Sequence, residues 1–314
     1  MSSGGPAVSV VVVSWNTAAL LDRCLTALAP DASSGLATVV VVDNGSSDGS
    51  AALVGERHPW AALVTAGGNV GYGPAVNLGA RTASVPPPRW LVAANADVAV
   101  EPGALAALVA TGNAHRAVGV VAPRLVLDDG SAQHHVHPFP SLGALVAVHV
   151  PVASRRLRCR ALLEGTWDPD VAREVDWAHG ALLLVRRSAF DAVGGFSADQ
   201  WLYAEDLDLC WRLRRAGWRT RYEPGARVLH AVSAATTQAW SDDAAREDRK
   251  QAAAYRWMRA AYGPRRAATL AAAAWLGARA QAARTPAGWR RDLLLAHAAR
   301  HRRGLRRSGP SGGS

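Results

Sequence analysis

The sequence predicts an α/β fold in which a mostly parallel central sheet is flanked by helices and followed by a C-terminal helical appendage. Two continuous β-branched runs, VSVVVV at 8–13 and ATVVVVD at 37–43, are typical of strands buried on both faces of a parallel sheet. A segment with helix-spaced apolar residues separates them, and this alternation places helices on both faces of the sheet. After residue 240 the composition changes to Ala and Arg, which predicts the appendage.

The other elements are predicted by the same criteria. Thr17 is expected to cap the first helix, whose apolar residues recur at helical spacing, and a second helix is expected to begin near Ser47. Further strands are predicted at 61–66, 89–97, 117–127 and, after a loop, within 174–187. Helices separated by proline-containing breaks are predicted at 244–262, 265–283 and 287–303, before a flexible tail, SGPSGGS.

Charge and cysteine content narrow the class of partner and the compartment. The formal net charge is +10, from 35 basic and 25 acidic residues. A basic balance favours anionic partners, which include nucleic acid, an acidic membrane face and phosphorylated substrates. The three cysteines, Cys24, Cys159 and Cys210, form no CxxC pair, so we expect a reduced, cytoplasmic protein. The N-terminus shows no signal-peptide pattern, and the first apolar run is too short to span a bilayer.

Polar or glycine-rich segments follow four successive predicted strands. Open α/β sheets bind ligands at the carboxyl ends of their strands, so these segments are expected to line one binding edge. The four segments are Ser14-Trp15-Asn16-Thr17, DNGSSDGS at 43–50, GGNVGYG at 67–73 and Asn95-Ala96-Asp97.

Several nucleotide-binding classes are excluded by residues that the sequence lacks. A dinucleotide-binding Rossmann domain needs G-x-G-x-x-G after its first strand, where this chain has Ser-Trp-Asn-Thr. A P-loop needs a lysine after its glycines, and the only lysine is Lys250. The glycine-rich, Arg- or Lys-bearing loop of sugar nucleotidyltransferases is also missing. No zinc-finger or helix-turn-helix pattern supports binding to nucleic acid, which we do not expect as a partner.

Five segments resemble family 2 glycosyltransferases of the GT-A fold in their order and spacing. They are SVVVVSWN, VVDNGSSDGS, GNVGYGPAVNLG, ANADV and YAEDLDLCWRLRRAGW, and the resemblance covers residues 8–236. The rhamnosyltransferase-like branch is the most similar. The resemblance implies a GT-A domain at 1–240, with a nucleotide-sugar half at about 8–115 and an acceptor half at about 116–240, and a C-terminal helical region with a tail at 241–314.

The resemblance also implies a site for the nucleotide-sugar donor. Asp43 ends a buried strand, where a carboxylate can accept a hydrogen bond from N3–H of uracil or thymine; a turn-forming role is the alternative. The loop glycines allow close backbone approach to a ligand, or serve loop flexibility alone. The expected donor-binding residues are Ser14, Trp15, Asn16, Asp43, Asn69, Gly71, Asn77, Asn95 and Ala96.

A divalent cation, Mg²⁺ or Mn²⁺, is the cofactor that the resemblance implies. Asp97 matches the second carboxylate of the DxD metal motif, and Asn95 replaces the first. Such cations commonly bind one or two carboxylates together with substrate phosphates. His230, which ends a predicted short strand, ARVLH, is the expected second protein ligand. A helix-capping role for Asp97 and a structural role for His230 are the alternatives. The histidines at 134, 135 and 137 are assigned to the acceptor rim rather than to a zinc site.

Glu205 and Asp206 stand side by side at a predicted helix start. By resemblance Asp206 is the general base that takes the proton of the acceptor hydroxyl. Glu205 is expected to position the acceptor, together with Trp177, His179, Gly180 and Tyr203. Because the dipole at a helix start favours carboxylates, the alternative is a pair with no catalytic role.

The sequence therefore predicts an inverting, metal-dependent glycosyltransferase. It is expected to move a sugar, rhamnose in the first instance, from a dTDP or UDP donor to a hydroxyl of a glycan, lipid-linked or small-molecule acceptor. A nucleotide-sugar-binding protein without turnover and a basic nucleic-acid-binding protein are the alternatives. The Ala- and Arg-rich helices allow peripheral contact with the inner face of the membrane, or form a flap on the catalytic domain. The sequence leaves open whether the protein forms a homo-oligomer.

Overall fold

The computed structural model describes residues 6–82, 87–149, 155–160, 162–163, 166–231 and 243–305. Within these ranges the strands are β1 (Val8–Ser14), β2 (Ala37–Asp43), β3 (Ala62–Thr65), β4 (Trp90–Asn95), β5 (Val98–Val100), β6 (Val118–Val126), β7 (Val136–His137), β8 (Arg173–Val175), β9 (Trp177–Ala178), β10 (Leu182–Arg186) and β11 (Arg219–His230). The helices are α1 (Ala18–Ser33), α2 (Ser50–Arg57), α3 (Tyr72–Thr82), α4 (Ala104–Ala114), α5 (Leu142–His149), α6 (Arg155–Arg160), α7 (Arg187–Ala192), α8 (Glu205–Arg215), α9 (Asp243–Tyr262), α10 (Pro264–Arg284) and α11 (Trp289–Leu305). The predicted C-terminal tail lies outside the described residues.

A mixed central sheet confirms the predicted fold class. Its strand order is β3-β2-β1-β4-β10-β6-β11-β5, and β8 pairs with β11. The first four strands are parallel, as is the pair β6 and β11, whereas β10 runs antiparallel between β4 and β6. The short β5 is antiparallel to β11. A separate two-stranded sheet pairs β7 with β9.

The valine run of β1 is buried on both faces of the sheet. Val10 and Val12 belong to the core that also contains Leu21 and Leu25 of α1. On the other face α3 packs so closely that a Cβ at Gly79 would lie 2.5 Å from Cγ1 of Val11. Helices on both faces explain why the strand is continuously apolar instead of alternating.

The start of α1 differs from the prediction. Thr17 is the N-cap residue, but its side chain makes no capping hydrogen bond. Its hydroxyl lies 3.1 Å from that of Ser14, and both are buried. The first helical N–H, that of Ala18, instead donates to Oδ2 of Asp48 at 2.8 Å. The expectation of a threonine cap is wrong because a carboxylate from the next loop satisfies the amide.

Two other boundaries also differ from the prediction. Helix α2 begins at Ser50 rather than near Ser47, because Asp48 accepts the N–H and hydroxyl of Ser50 and forms a turn before it. The short strand expected before His230 is the end of a 12-residue strand, β11. Register shifts at Arg219/Thr220 and Glu223/Arg227 interrupt its pairing with β6.

The chain divides into two compact units. The first consists of residues 1–137 and 168–241, and the second of residues 138–167 and 242–314. The first unit contains the central sheet. In its described part the second unit contains α5, α6 and the three C-terminal helices, so residues 138–167 group with these helices rather than with the sheet. The predicted functional halves stay a prediction. No helix in the described ranges is long and apolar enough to cross a bilayer.

Arg186 at the end of β10 is a buried cation that holds one end of the sheet. Its guanidinium donates to the carbonyl oxygens of Val118 at 2.9 Å, Gly112 at 2.8 Å and His115 at 3.2 Å. It also lies 4.4 Å from the ring centroid of Trp90. Hydrogen bonds from a charged donor are stronger than neutral ones, so this side chain ties β10 to the end of α4 and the start of β6.

We expect Arg186→Met to destabilise the protein by about 2–5 kcal/mol, since three buried carbonyls would lose a charged donor. Urea unfolding followed by circular dichroism measures the change. Arg215→Met, on the exposed side of α8, is the control and should stay within about 0.5 kcal/mol of the wild type. Equal midpoints for the two variants would show that the buried guanidinium does not stabilise the sheet.

Candidate active site

The paired carboxylates begin α8 after a strained turn. Tyr203 and Ala204 have φ values of 65° and 67°, and Glu205 is the first helical residue. Non-glycine residues in this region of backbone space cluster at functional sites. The turn directs the chain so that Glu205 is buried and Asp206 lies in the first turn of the helix.

Asp206 is held by backbone N–H groups on both carboxylate oxygens. Gly180 donates to Oδ2 at 2.9 Å, and Leu207 donates to Oδ1 at 2.7 Å. The carbonyl of the same Gly180 accepts the hydroxyl of Tyr72 at 2.8 Å. One glycine thus links Tyr72 to Asp206 and fixes the direction of the carboxylate.

Burial separates the proton affinities of the two acids. It raises the pKa of Glu205, and the negative charge of Asp206 raises it further. Burial also raises the pKa of Asp206, but the N–H groups of Leu207 and Gly180 oppose that rise. Asp206 therefore ionises first, and the pair carries one negative charge at neutral pH. Oε2 of Glu205 is buried and has no hydrogen-bond partner among the described residues.

Asp97 and His230 meet where β5 pairs with β11. The antiparallel register places His230 opposite Val98, next to Asp97, and Nε2 of His230 lies 3.5 Å from Oδ1 of Asp97. That oxygen is buried and lacks a hydrogen-bond partner in the described part of the chain. Nδ1 of His230 lies 2.7 Å from the amide oxygen Oε1 of Gln133, to which it can donate, and Nε2 is the ring nitrogen that faces Asp97.

Tyr72 feels the charges of both the base candidate and Asp97. Burial raises the pKa of Tyr72, and the nearby negative charges of Glu205, Asp206 and Asp97 raise it further. Tyr72 therefore stays protonated and donates to Gly180. Its ring packs edge-on against Phe196, with centroids 5.8 Å apart.

The loops after β1 and β2 are joined through Asn16. This residue has a φ of 51°; its N–H donates to Oγ of Ser46 at 3.0 Å, and its Oδ1 accepts the N–H of Ser47 at 2.8 Å. The side-chain oxygen of Asn16 is thus used to hold the loops together. Trp15 beside it is half-buried.

Asp43 ends β2 at the same edge, and its side chain is buried. Each of its carboxylate oxygens lies 3.3 Å from the N–H of Ser46, a long contact that leaves capacity for a ligand. The side chain of Ser14 is fully buried, and its carbonyl accepts the N–H of Asn44 at 2.8 Å. Only the backbone of Ser14 therefore lies at the loop.

The loop after β3 is interlocked with the loop after β2. Nδ2 of Asn44 donates to Oδ1 of Asn69 at 3.1 Å, and Oδ1 of Asn44 accepts the N–H of Val70 at 3.0 Å. Gly71 has a φ of 91°, and a Cβ on it would lie 2.4 Å from the carbonyl oxygen of Trp201. The glycine is thus required for close approach to the segment that precedes the carboxylate pair.

Asn77 was predicted to bind the donor, and its geometry favours a positioning role instead. Its Nδ2 donates to the carbonyl of Phe196 at 2.8 Å, and its Oδ1 accepts the N–H of the same residue at 2.9 Å. Both ends of the amide are therefore engaged in holding the chain that leads to α8. Asn95 ends β4, where its N–H donates to the carbonyl of Ala181 at 2.9 Å, and Ala96 is buried beside it.

Aromatic and imidazole rings cluster around the small β7–β9 sheet. His137 lies 4.8 Å from Trp177 and 4.8 Å from His179 between ring centroids, and 4.7 Å from His134. Nε2 of His137 is 3.1 Å from Nε2 of His179, so one of the two carries a proton and the other accepts it. Burial and the neighbouring imidazoles keep the pKa of His137 well below its usual range. Since Gly180 follows His179, this cluster lies next to the base candidate.

Three residues that shape the candidate site were not identified by the sequence analysis. Tyr72 orients Gly180, Gln133 contacts Nδ1 of His230, and Asn44 interlocks two loops. Tyr72 and Asn44 lie inside the segments that were singled out, whereas no sequence signal marks Gln133. No group of three or more His, Cys, Asp and Glu side chains is placed to hold a metal ion within the described residues. Asp97 and His230 thus form a two-ligand site at most.

Comparison with known proteins decides the family. The model of the family "Glycosyltransferase like family 2" matches residues 6–258. This chain belongs to that family. It is also 37% identical over 231 residues to N-acetylglucosaminyl-diphospho-decaprenol L-rhamnosyltransferase of Mycobacterium tuberculosis, a match that covers 70% of this chain and 75% of the relative. The predicted similarity to rhamnosyltransferases is confirmed.

Solved structures of other glycosyltransferases share the fold. A mannosyltransferase of Pyrobaculum calidifontis, in complex with GDP-Man and Mn²⁺, has a TM-score of 0.55 and 21% identity, over 96% of this chain and 84% of that one. GalNAc-T7 with UDP, GalNAc and Mn²⁺ has a TM-score of 0.54 and 19% identity, over 72% of this chain and 43% of that one. The predicted GT-A fold is confirmed.

The raised pKa of Glu205 makes the stability of this glycosyltransferase depend on pH. The protonated form stabilises the folded state fully below the unfolded pKa of about 4.3, and this contribution is lost as pH rises through the folded pKa. The Glu205→Gln variant has no carboxyl group to ionise at this position. Its melting temperature should therefore rise relative to that of the wild type as pH increases from about 5 to 9. Thermal unfolding across this range, with exposed Glu56→Gln as the control, tests the prediction. A variant whose pH profile runs parallel to the wild type would contradict it.

Proposed function

We propose that this family 2 glycosyltransferase moves a sugar, rhamnose in the first instance, from a pyrimidine nucleoside diphosphate to a hydroxyl group of its acceptor, with inversion at the anomeric carbon. The observation that carries the proposal is the fixed carboxylate of Asp206. It is held by two backbone N–H groups beside a buried second acid, and Asp206 and Asp97 both add to the effect of burial in raising the pKa of Tyr72.

The chemistry requires one base and one leaving group. The acceptor oxygen forms a bond to the anomeric carbon while the bond from that carbon to the diphosphate oxygen breaks. Asp206 receives the hydroxyl proton, and the nucleoside diphosphate leaves with the bonding electrons. A single base opposite the leaving group gives inversion. The raised pKa of Asp206 brings its proton affinity closer to neutral pH, which suits a general base.

Glu205 serves as the protonated partner of this base. A second ionised acid so close would repel the first, and burial disfavours it. In its neutral form Glu205 can donate a hydrogen bond, and its buried Oε2 has the free capacity to do so. The acceptor hydroxyl is the proposed recipient. The ring cluster of Trp177, His137 and His179 supplies apolar faces for the acceptor sugar.

A divalent cation fits the residues at the β5–β11 edge. Asp97 offers a buried oxygen without a hydrogen-bond partner in the described ranges, and His230 turns Nε2 toward it while Gln133 contacts Nδ1. These two side chains would hold the ion, with the donor diphosphate supplying further oxygens. Bound there, the ion would supply positive charge for the developing diphosphate. The Mn²⁺ in both fold relatives supports a metal in this family of structures.

The nucleotide base is assigned from Asp43. The two fold relatives carry GDP-Man and UDP, so the fold does not select the base by itself. A carboxylate that only accepts hydrogen bonds suits the single N3–H of uracil or thymine, and Asp43 lies at the binding edge with one weakly held N–H.

The acceptor is proposed to be lipid-linked. The name of the mycobacterial relative specifies an N-acetylglucosaminyl-diphospho-decaprenol acceptor and L-rhamnose as the transferred sugar. A sugar hydroxyl next to a diphosphate-linked lipid would then face Asp206. Free glycans and small molecules are the competing acceptors, and a panel of all three with one donor distinguishes them.

Asp206→Asn should lower the transfer rate by about 10²–10⁴-fold, because the proton acceptor is lost. Both oxygens of Asp206 accept backbone N–H groups. In the Asn variant the side-chain NH₂ would face one of these N–H donors, so the variant should also lose some stability. Transfer is therefore measured together with nucleotide affinity and melting temperature.

The matched control for this experiment is Asp208→Asn. Asp208 lies on the same helix and pairs with Arg212 at 2.7 Å, a contact worth about 0.3–0.5 kcal/mol. Its transfer rate should stay close to that of the wild type. Near-normal transfer by Asp206→Asn, or loss of transfer by Asp208→Asn alone, would show that the base lies elsewhere.

Nucleotide and metal binding are tested together by thermal shift. With Mn²⁺, dTDP or UDP should raise the melting temperature more than GDP does, and EDTA should reduce the shift, because a ligand that binds only the folded state stabilises it. Asp97→Asn should reduce the metal-dependent part, whereas Asp43→Asn should reduce the preference for pyrimidines. A larger shift with GDP, or an unchanged shift in EDTA, would contradict the base or the metal assignment respectively.

A further inference from the structure

The positive charge of the chain is concentrated in the C-terminal helices. Residues 243–305 contain 14 Arg and Lys residues and four Asp and Glu residues, whereas residues 1–242 contain 19 basic and 21 acidic ones. The formal charge of the helical segment is therefore +10, equal to that of the whole chain, and the segment with the catalytic candidates is slightly acidic. A uniformly basic coding bias does not produce such a division.

Helix α11 has two unlike halves. All three of its buried residues, Ala298, His301 and Gly304, lie in the C-terminal half. The N-terminal half, Trp289–His297, contains no buried residue and includes three consecutive leucines. In the first half of this helix Leu294 and His297 are half-buried, and the other side chains are exposed.

Trp289 and Leu293 are the most exposed apolar side chains of this half. They are 70% and 58% exposed and lie one helical turn apart, so they share a face. Arg290 and Arg291 follow Trp289, and the guanidinium of Arg290 lies 5.2 Å from the ring centroid of Trp289. A tryptophan with adjacent arginines at the start of a helix is an arrangement suited to a membrane–water interface.

We propose that the first half of α11 is a docking surface for an anionic phospholipid bilayer. Trp289 and Leu293 enter the boundary between headgroups and acyl chains, and Arg290 and Arg291 bind lipid phosphates. The inference concerns binding alone and does not depend on the proposed transfer reaction. If the acceptor is lipid-linked, the same surface would keep the enzyme at the membrane that contains it.

The charge and size of the surface favour a bilayer over other occupants. In a symmetric dimer the same patch would meet itself, and arginines would oppose arginines. Three or four exposed apolar side chains also provide much less than the roughly 800 Å² per partner of a stable interface. Nucleic acid would pair with the arginines but would leave Trp289 and Leu293 unused, because phosphate contacts dominate such binding.

Co-sedimentation of the full chain with vesicles tests the proposal. The wild type should bind phosphatidylglycerol–phosphatidylcholine vesicles, bind pure phosphatidylcholine vesicles weakly, and lose binding at high salt. The double variant Trp289→Ser/Leu293→Ser should lose at least about tenfold in partition, from the burial of two large apolar side chains. Arg290→Gln/Arg291→Gln should lose about fivefold for each arginine and show a weaker salt dependence.

Matched variants control for the loss of exposed apolar residues. Leu276 on α10 is also 58% exposed, and Trp60 in the first unit is 39% exposed. Leu276→Ser/Trp60→Ser should partition like the wild type. Circular dichroism and the nucleotide-induced thermal shift should be unchanged in all three double variants, since every substituted side chain is exposed.

Each other outcome overturns the proposal. Absence of wild-type binding to anionic vesicles, or equal losses in the control and the Trp289→Ser/Leu293→Ser variant, shows that α11 is not the docking surface. A mass by light scattering that falls from dimer to monomer only in that variant assigns the face to a second copy. Binding to random duplex DNA that equals binding to vesicles and depends only on the arginines assigns it to nucleic acid.

Discussion

The candidate active site depends on one peptide group, that of Gly180, held from both sides. Its carbonyl accepts the hydroxyl of Tyr72, and its N–H donates to the carboxylate of Asp206. Tyr72 starts α3, which follows the loop after β3, and Asp206 lies in the first turn of α8. A hydrogen bond to a charged acceptor in a buried site is worth more than a neutral one. This chain of contacts thus fixes the base relative to the loops of the sheet.

The same contacts explain why two adjacent acids can be buried in a stable protein. Two ionised carboxylates at such a distance would each bear a desolvation cost and repel the other. Backbone N–H groups bond both oxygens of Asp206, whereas Oε2 of Glu205 has no hydrogen-bond partner among the described residues, so the pair divides into one ionised and one protonated member. The left-handed turn at Tyr203 and Ala204 is the backbone cost of this placement. Asp206 and Glu205 are neighbouring acids in the sequence, but their hydrogen bonds and pKa values differ in the structure.

The fold was predictable because its signals are local and periodic. The valine runs of β1 and β2, the helix spacing of α1 and the Ala-rich helices all appear in the structure near their predicted bounds. The site was only partly predictable, because its hydrogen bonds join residues far apart in sequence. Asn77 bonds to Phe196, and Asp48 replaces Thr17 at the start of α1. A side-chain amide or carboxylate can form hydrogen bonds to a loop as readily as to a ligand, and the sequence does not show which of the two it does.

Charge balance at the sheet edge gives the physical reason to expect a metal. The donor diphosphate is negative, and its charge grows as the sugar leaves. The residues assigned to the site include Asp43, Asp97 and Asp206 but no arginine or lysine, and the first 242 residues are slightly acidic as a whole. Backbone N–H groups and helix starts supply only partial charges. A divalent cation between Asp97 and His230 would supply the missing charge, which is why the metal, rather than an arginine clamp, is the consistent partner for this set of acids.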